Sequence, residues 1–352
     1  MQVAYLFVSI YLIFIYSTRL SLIKEKSLEI FRFILLVITL ALFWGLRDQS
    51  IGNDSVTYIK IFQNPESYPS KLEPGFLFLL EILKFFSLSG NFLLFSLSFI
   101  LLFLQLLVYY KFNQRDFFVY FIIYSSFYYY YQFHINIMRQ GLAILMVAMS
   151  FFAYKRKNSV VYFIWGIIGC LFHATALIFL IYPVFLKKIE NRKTQLFFVF
   201  CILLMFFTNF ASSIINSIPA FHWSIEKIKW YFVIAEPVRI KQSHAVSLFI
   251  ILLFTLKFEK MKKSPYFFLY TFHTVFFAFL GIFHECLLVY DRFYFYLQIF
   301  EPCLLYEFRV LFKEKTIYKK ICLAGSLLMS SVTVFLWGPR NFLTPYTFQF
   351  MR

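Results

Sequence analysis

The apolar run from Ser159 to Phe185 constrains this chain more than any other stretch, because basic clusters close both of its ends. Lys155, Arg156 and Lys157 precede it, and Lys187, Lys188, Arg192 and Lys193 follow it. Its length suits one tilted transmembrane helix, but a single crossing would leave one cluster on the face that basic residues avoid. Dividing the run at Phe172-His173 into two short antiparallel helices returns both clusters to the cytoplasmic side and sets His173 at the outer tip. The preceding segment, Met138 to Tyr154, then forms a hairpin with the first of these helices, with Arg139 and His173 at one end and the basic triplet at the other. Ionisable groups at such rims are costly in lipid, so they face protein or a water-filled cavity.

The same alternation runs along the sequence. Val3 to Leu20, Phe31 to Leu46, Phe92 to Tyr110, Phe117 to Phe133, Leu196 to Ala211, Ala245 to Leu256, Pro265 to Phe283, Phe293 to Leu311 and Ile321 to Trp337 read as further spans. The expected fold is therefore an all-α polytopic membrane protein of about 12 transmembrane helices, one membrane domain over residues 1–352, with both termini outside. With 61% hydrophobic and 14% charged residues, the chain has too little polar surface for a soluble globule. The first segment lacks a basic leader and a small-residue cleavage site, so it reads as a retained span. Most of the 34 Lys and Arg fall in the cytoplasmic loops of this topology, which accounts for the net charge of +17 without nucleic acid. The five cysteines are scattered and show no CxxC spacing, so neither a disulfide framework nor a bound metal is expected.

What remains after the basic clusters are assigned collects outside. The outer loop 47–73 carries Arg47, Asp48, Asp54 and Glu73, and every histidine except His273 lies on the outer side. Pro74 to Ser89 is apolar but holds Glu81 and Lys84 and is too short to cross, so it is expected as an amphipathic helix in the outer interface. The largest outer loop, 212–243, contains an aromatic stretch from Ile225 to Ile234 able to lie on the membrane or act as a lid. Arg47, Arg139, Arg239 and Arg292 are candidates to hold a diphosphate, since a guanidinium binds phosphate oxygens bidentately at any working pH; snorkelling to headgroups is the bland alternative for each. Asp48, Asp54, Glu73 and His173 are candidate proton acceptors, against ordinary loop polarity or a hydrogen-bonded helix-end histidine. His273 and Glu301 would share one depth if their spans turn near Leu287, either as a structural hydrogen bond or as a proton relay. The sequence contains no G-x-x-x-x-G-K-[ST], H-E-x-x-H or G-x-S-x-G motif, which argues against an ATPase, a zincin protease and an α/β-hydrolase.

Three patches carry a family resemblance. One is Gly45-Leu46-Arg47-Asp48, then Ile51-Gly52-Asn53-Asp54-Ser55, Tyr58 and Glu73-Pro74. Another is Met138-Arg139-Gln140-Gly141-Leu142-Ala143, followed by Leu171-Phe172-His173-Ala174-Thr175-Ala176, and the weakest is Arg292-Phe293-Tyr294-Phe295-Tyr296 with Pro345-Tyr346. In this order they resemble the EpsG family of bacterial polysaccharide polymerases, relatives of the Wzy O-antigen polymerases. Thr175 stands where that family's pattern has serine, and the hydroxyl is kept.

The resemblance implies a metal-independent, GT-C-like glycosyltransferase of the bacterial inner (plasma) membrane. It would use no cofactor and would join undecaprenyl-diphosphate-linked oligosaccharide repeat units on the extracytoplasmic face. Arg47, Arg139 and Arg292 would bind the diphosphate, and His173, Asp54 or Glu73 would serve as base or hydroxyl orienter. Membrane lipid and a chain-length regulator protein are the other partners to expect. A transporter or flippase of lipid-linked oligosaccharide is the main alternative; it predicts functional charges at the membrane midplane, where the sequence offers His273, Glu301 and Glu81. A membrane O-acetyltransferase would need a buried histidine in a span and access from the cytoplasm.

Overall fold

The computed structural model describes residues 26–49, 51–64, 72–87, 89–183, 191–205 and 242–332, with residues 217, 229–230, 232 and 237–238. All regular elements among them are helical. The expected first span, most of the loop 212–243 including Arg239, and the end of the last span with Arg340 and Pro345-Tyr346 lie outside the described residues. The chain forms two compact units. One comprises Met1–Leu177 with Phe312–Arg352, and the other is Ile178–Leu311.

In the first unit α1 (Lys26–Gly45), α2 (Asn53–Gln63), α3 (Pro74–Lys84), α4 (Gly90–Phe112), α5 (Phe117–Ser125), α6 (Tyr128–Ile135), α7 (Met138–Lys155) and α8 (Ser159–Phe172) follow in order. Helix α7 is the core: nearly all of its side chains are buried, packed between α8 and α4, while α1 lies along α4. Helix α8 shows the surface pattern of a lipid-facing helix. Its large side chains Val160, Phe163, Ile164, Ile167 and Leu171, at helical spacing, point outward, and its small Gly166 and Gly169 turn inward. A Cβ on Gly169 would come 3.3 Å from the Ala143 carbonyl, so glycine sets how closely α8 approaches α7. Small residues at the seam and apolar bulk outside are how helices associate in lipid, where burial of greasy surface drives nothing.

The two helices are joined by the basic turn, where Lys157 adopts φ 58° and the Asn158 side chain caps α8 by accepting from the Val161 N–H at 3.0 Å. After Phe172 the chain passes through extended His173 into a 3₁₀ helix, Ala174–Ile181. The break thus falls at the Phe172-His173 division that the charge pattern called for.

The expected spans elsewhere are more interrupted than a count of about 12 crossings implies. Among the described residues one helix, Gly90–Phe112, is both long and apolar enough to cross a bilayer, and the pair Tyr129–Ile135 and Met138–Lys155 would pass the same test together but is bent by 115°. Phe117 to Phe133 is not one helix. It divides at Ser126 and Phe127, where the hydroxyls of Ser125 and Ser126 donate back to the carbonyls of Ile122 and Ile123 at 2.9 and 2.6 Å, satisfying groups that a continuing helix would use. Helix α3 matches the amphipathic segment. It buries Phe76, Leu80 and Leu83 and exposes Phe78, Ile82, Glu81 and Lys84-paired charge on its other side.

The second unit contains α9 (Arg192–Met205), α10 (Gln242–Leu256), α11 (Phe267–Gly281), α12 (Leu287–Gln298) and α13 (Glu301–Glu307), with α9, α10 and α12 packed on α11. The expected span Phe293 to Leu311 is broken between α12 and α13, because Pro302 in the first turn of α13 has no N–H to give to an earlier carbonyl. The closing helix α14 (Lys315–Val332) belongs to the first unit, where Lys319 Nζ reaches Asp116 Oδ1 at 3.2 Å.

Candidate active site

The 115° corner between α6 and α7 leaves the last carbonyls of α6 without helical partners. One of them, on Ile135, is met from the first outer loop. Ser55 Oγ donates to it at 3.0 Å and Arg47 Nη2 lies at 3.4 Å, while the same Arg47 nitrogen donates to Ser55 Oγ at 2.9 Å and Nη1 donates to the Trp44 carbonyl. Gly52 makes this contact fit. Its φ is +93°, and a Cβ there would stand 2.5 Å from Ile135 Cγ2, so no L side chain is tolerated at the point where the loop presses on the corner. Tyr58 Oη reaches the neighbouring Asn136 carbonyl at 3.2 Å. Arg47, expected on a diphosphate, is instead fully buried with its guanidinium engaged by groups of its own chain.

On the other side of the corner Arg139 occupies the first turn of α7. A cation there opposes the helix dipole, so a neighbouring anion is favoured twice over. That anion is Glu73. Its Oε2 accepts from Arg139 Nη1 at 2.7 Å, and its Oε1 accepts from the backbone N–H of Ala174 at 3.2 Å, at the start of the 3₁₀ helix. Glu73 is the residue preceding α3 and makes no side-chain cap to its own helix, because its carboxylate is turned to these two donors. The start of α3 is pressed against the end of α8: a Cβ on Gly75 would lie 2.7 Å from the Leu171 carbonyl. Arg139 and Glu73 are each one-fifth exposed, and Arg139 Nε is buried with no acceptor.

Beside this pair the His173 ring is held by its own turn. Its Nδ1 accepts from the Thr175 backbone N–H at 3.3 Å and lies 2.7 Å from Thr175 Oγ1. A backbone N–H can only donate, so Nδ1 carries the lone pair and the proton of the neutral ring sits on Nε2. In that tautomer the ring's donor is Nε2. Three motifs that are distant in sequence thus meet in one unit: the glutamate of Glu73-Pro74, the arginine of Arg139-Gln140-Gly141, and the turn His173-Ala174-Thr175.

The remaining predicted residues are placed differently. Asp54 is exposed in the first turn of α2, its Oδ2 3.5 Å from Tyr58 Oη. Arg292 is on α12 in the second unit. That unit holds its own polar cluster, in which Glu301 Oε1 receives Ser247 Oγ, His273 Nε2 at 3.2 Å and Tyr294 Oη at 3.4 Å. The His273–Glu301 pairing matches the shared depth expected of them. Ser55 enters the sequence reading only as a member of the first motif, without a role, and the Ala174 N–H does not enter it at all. Ser55 carried a signal in its place three residues after Gly52, but a backbone donor has no signature in residue type.

The fold and this centre define a helical protein with a lipid-type surface and an ionic cluster built at helix ends. The sequence matches the EpsG family over residues 30–348. The chain therefore belongs to the EpsG family, which is related to the Wzy-like polymerases. No curated protein and no solved structure matches it.

Proposed function

We propose that the protein is a polysaccharide polymerase that joins undecaprenyl-diphosphate-linked repeat units by glycosyl transfer in the bacterial plasma membrane, with its site facing outward. An acceptor hydroxyl attacks the anomeric carbon of the donor chain. A new C–O bond forms, the bond from that carbon to the diphosphate oxygen breaks, the departing oxygen keeps the electron pair, and the hydroxyl proton passes to a base. Two demands follow, positive charge for the leaving diphosphate and an acceptor for one proton.

The observation that carries this reading is the meeting of Arg139, Glu73 and the His173 turn in one partly open cluster. Arg139 supplies the charge, and His173 Nε2–H orients a diphosphate or hydroxyl oxygen. Glu73 and Asp54 are the carboxylates able to take the proton. Arg47 acts through the α6–α7 corner as a positioning residue, and Arg292 is assigned to the lipid-linked substrate through its place in the family motif. Helix α3, with apolar side chains exposed beside Glu73, suits the entry of a polyprenyl chain.

The test is the glycan ladder of a deletion strain complemented with wild type, Arg139→Ala, His173→Ala or His273→Ala at matched membrane levels. A deletion that leaves single repeat units on their acceptor, and a failure of Arg139→Ala and His173→Ala to restore long chains while His273→Ala does so, supports polymerisation at this site. Loss of all surface repeat units, or a defect confined to His273→Ala, would replace it with transport.

A further inference from the structure

We infer that Glu73 is a built-in occupant of the diphosphate seat, displaced by substrate and thereby released as the base. This deepens the reading above and rests on it. The Glu73 carboxylate sits between two donors of different origin, the Arg139 guanidinium at 2.7 Å and the Ala174 N–H at 3.2 Å. Those donors form an anion seat: a fixed cation at the mouth of α7 and a backbone N–H at the head of an eight-residue 3₁₀ helix. A carboxylate fills such a seat with one charge and two oxygens. A diphosphate brings more of both.

The seat has capacity left over. Arg139 Nε is buried and lacks an acceptor, so the ion pair uses the guanidinium through Nη1 alone. A larger anion could engage Nε and Nη together, the bidentate mode that suits phosphate oxygens. The His173 ring lies in the same turn that supplies the Ala174 N–H. The Glu73 side chain is placed to move: as the N-cap residue of α3 it spends no side-chain hydrogen bond on capping that helix, and its carboxylate is joined to the rest of the unit by these two contacts.

When the lipid diphosphate takes the seat, the carboxylate loses both partners and becomes the nearest unpaired base. It then accepts the hydroxyl proton as the glycosyl C–O bond forms and the diphosphate departs with the electron pair. Glu73 then passes that proton to the departing diphosphate oxygen, and the carboxylate so regenerated returns to the seat as the diphosphate leaves. Basicity thus arises only when donor is bound, which guards the site against premature proton transfer.

The experiment measures binding of farnesyl diphosphate to the purified full-length protein in phosphatidylcholine nanodiscs, with inorganic pyrophosphate and farnesol as comparison probes. Glu73→Gln keeps the side-chain volume and removes the competing charge. Its affinity for farnesyl diphosphate is expected to rise about tenfold, the scale of one charge-assisted contact, while its glycan ladder collapses and its thermal stability stays near wild type. Arg139→Ala should lose diphosphate binding, and farnesol should bind all variants equally weakly. Pyrophosphate gaining as much as the lipid diphosphate would place recognition in the anion alone, still as inferred. An unchanged or weakened affinity in Glu73→Gln and Glu73→Ala, with wild-type binding intact, overturns the placeholder and leaves the polymerase reading standing. Absence of diphosphate binding by the wild type overturns both.

Discussion

His273 and Glu301, 28 positions apart in sequence, meet inside the second unit with Nε2 and Oε1 3.2 Å apart and both side chains essentially inaccessible. Glu301 Oε1 also receives Ser247 and Tyr294, so one carboxylate oxygen ties α10, α11, α12 and α13 together. Helices in lipid have no hydrophobic drive to pack, which makes such a shared acceptor a determinant of arrangement.

Glu301→Ala is accordingly expected to destabilise the protein by about 2 kcal/mol, because three buried groups lose their acceptor at once. Thermal unfolding in detergent would show a lower midpoint. His273→Ala removes one donor of three and should cost less. Equal losses in the two variants would mean that the pair, and not the whole cluster, holds the helices.

Gly52→Ala should be far more damaging than an exposed glycine substitution. It places a Cβ where φ is +93° and Ile135 Cγ2 stands 2.5 Å away, adding about 1–2 kcal/mol of backbone strain to the clash. Reduced protein level and faster proteolysis near the α6–α7 corner are the expected readouts. Gly325, whose added Cβ would meet nothing within 4 Å, serves as the control, and its alanine variant should match wild type.

Arg47 and Ser55 should behave as supports of the corner. Ser55→Ala removes one donor to the Ile135 carbonyl and is expected to cost about 1 kcal/mol. Arg47→Lys keeps the charge but cannot serve Trp44, Ser55 and Ile135 through one planar fork. Both variants should lower the unfolding midpoint while the surviving folded protein keeps its farnesyl diphosphate affinity. A selective loss of that affinity with stability intact would return Arg47 to the diphosphate.

Thr175→Val and Thr175→Ser separate the hydroxyl from the shape. Valine removes the oxygen 2.7 Å from His173 Nδ1, so the ring loses a partner that orients it, and chain extension is expected to slow by about tenfold. Serine keeps the oxygen and should restore the ladder. If valine and serine act alike, the turn backbone alone orients His173.

Much of this was legible along the chain. The break after Phe172 followed from two basic clusters that could not lie on opposite faces, and the common depth of His273 and Glu301 followed from hairpin symmetry. Local breaks were harder. Phe117 to Phe133 and Phe293 to Leu311 read as continuous apolar runs, but back-bonding serines and Pro302 interrupt them, and hydropathy averages over features one or two residues wide.

The sequence by itself determined that the chain is helical, apolar on its outer faces and equipped with Arg139, Glu73 and His173 at the ends of segments, because these follow from residue type and spacing. Only the tertiary structure decided which arginine is sealed inside and which stays partly open beside an anion. Arg47 and Arg139 are the same residue type beside similar loops. One lies against a carbonyl that the bent helix leaves without a helical partner and is buried there; the other stands at the positive end of the next helix, where it requires an anion. That difference arises from the corner between α6 and α7, whose angle depends on contacts made across the fold and not on any local pattern.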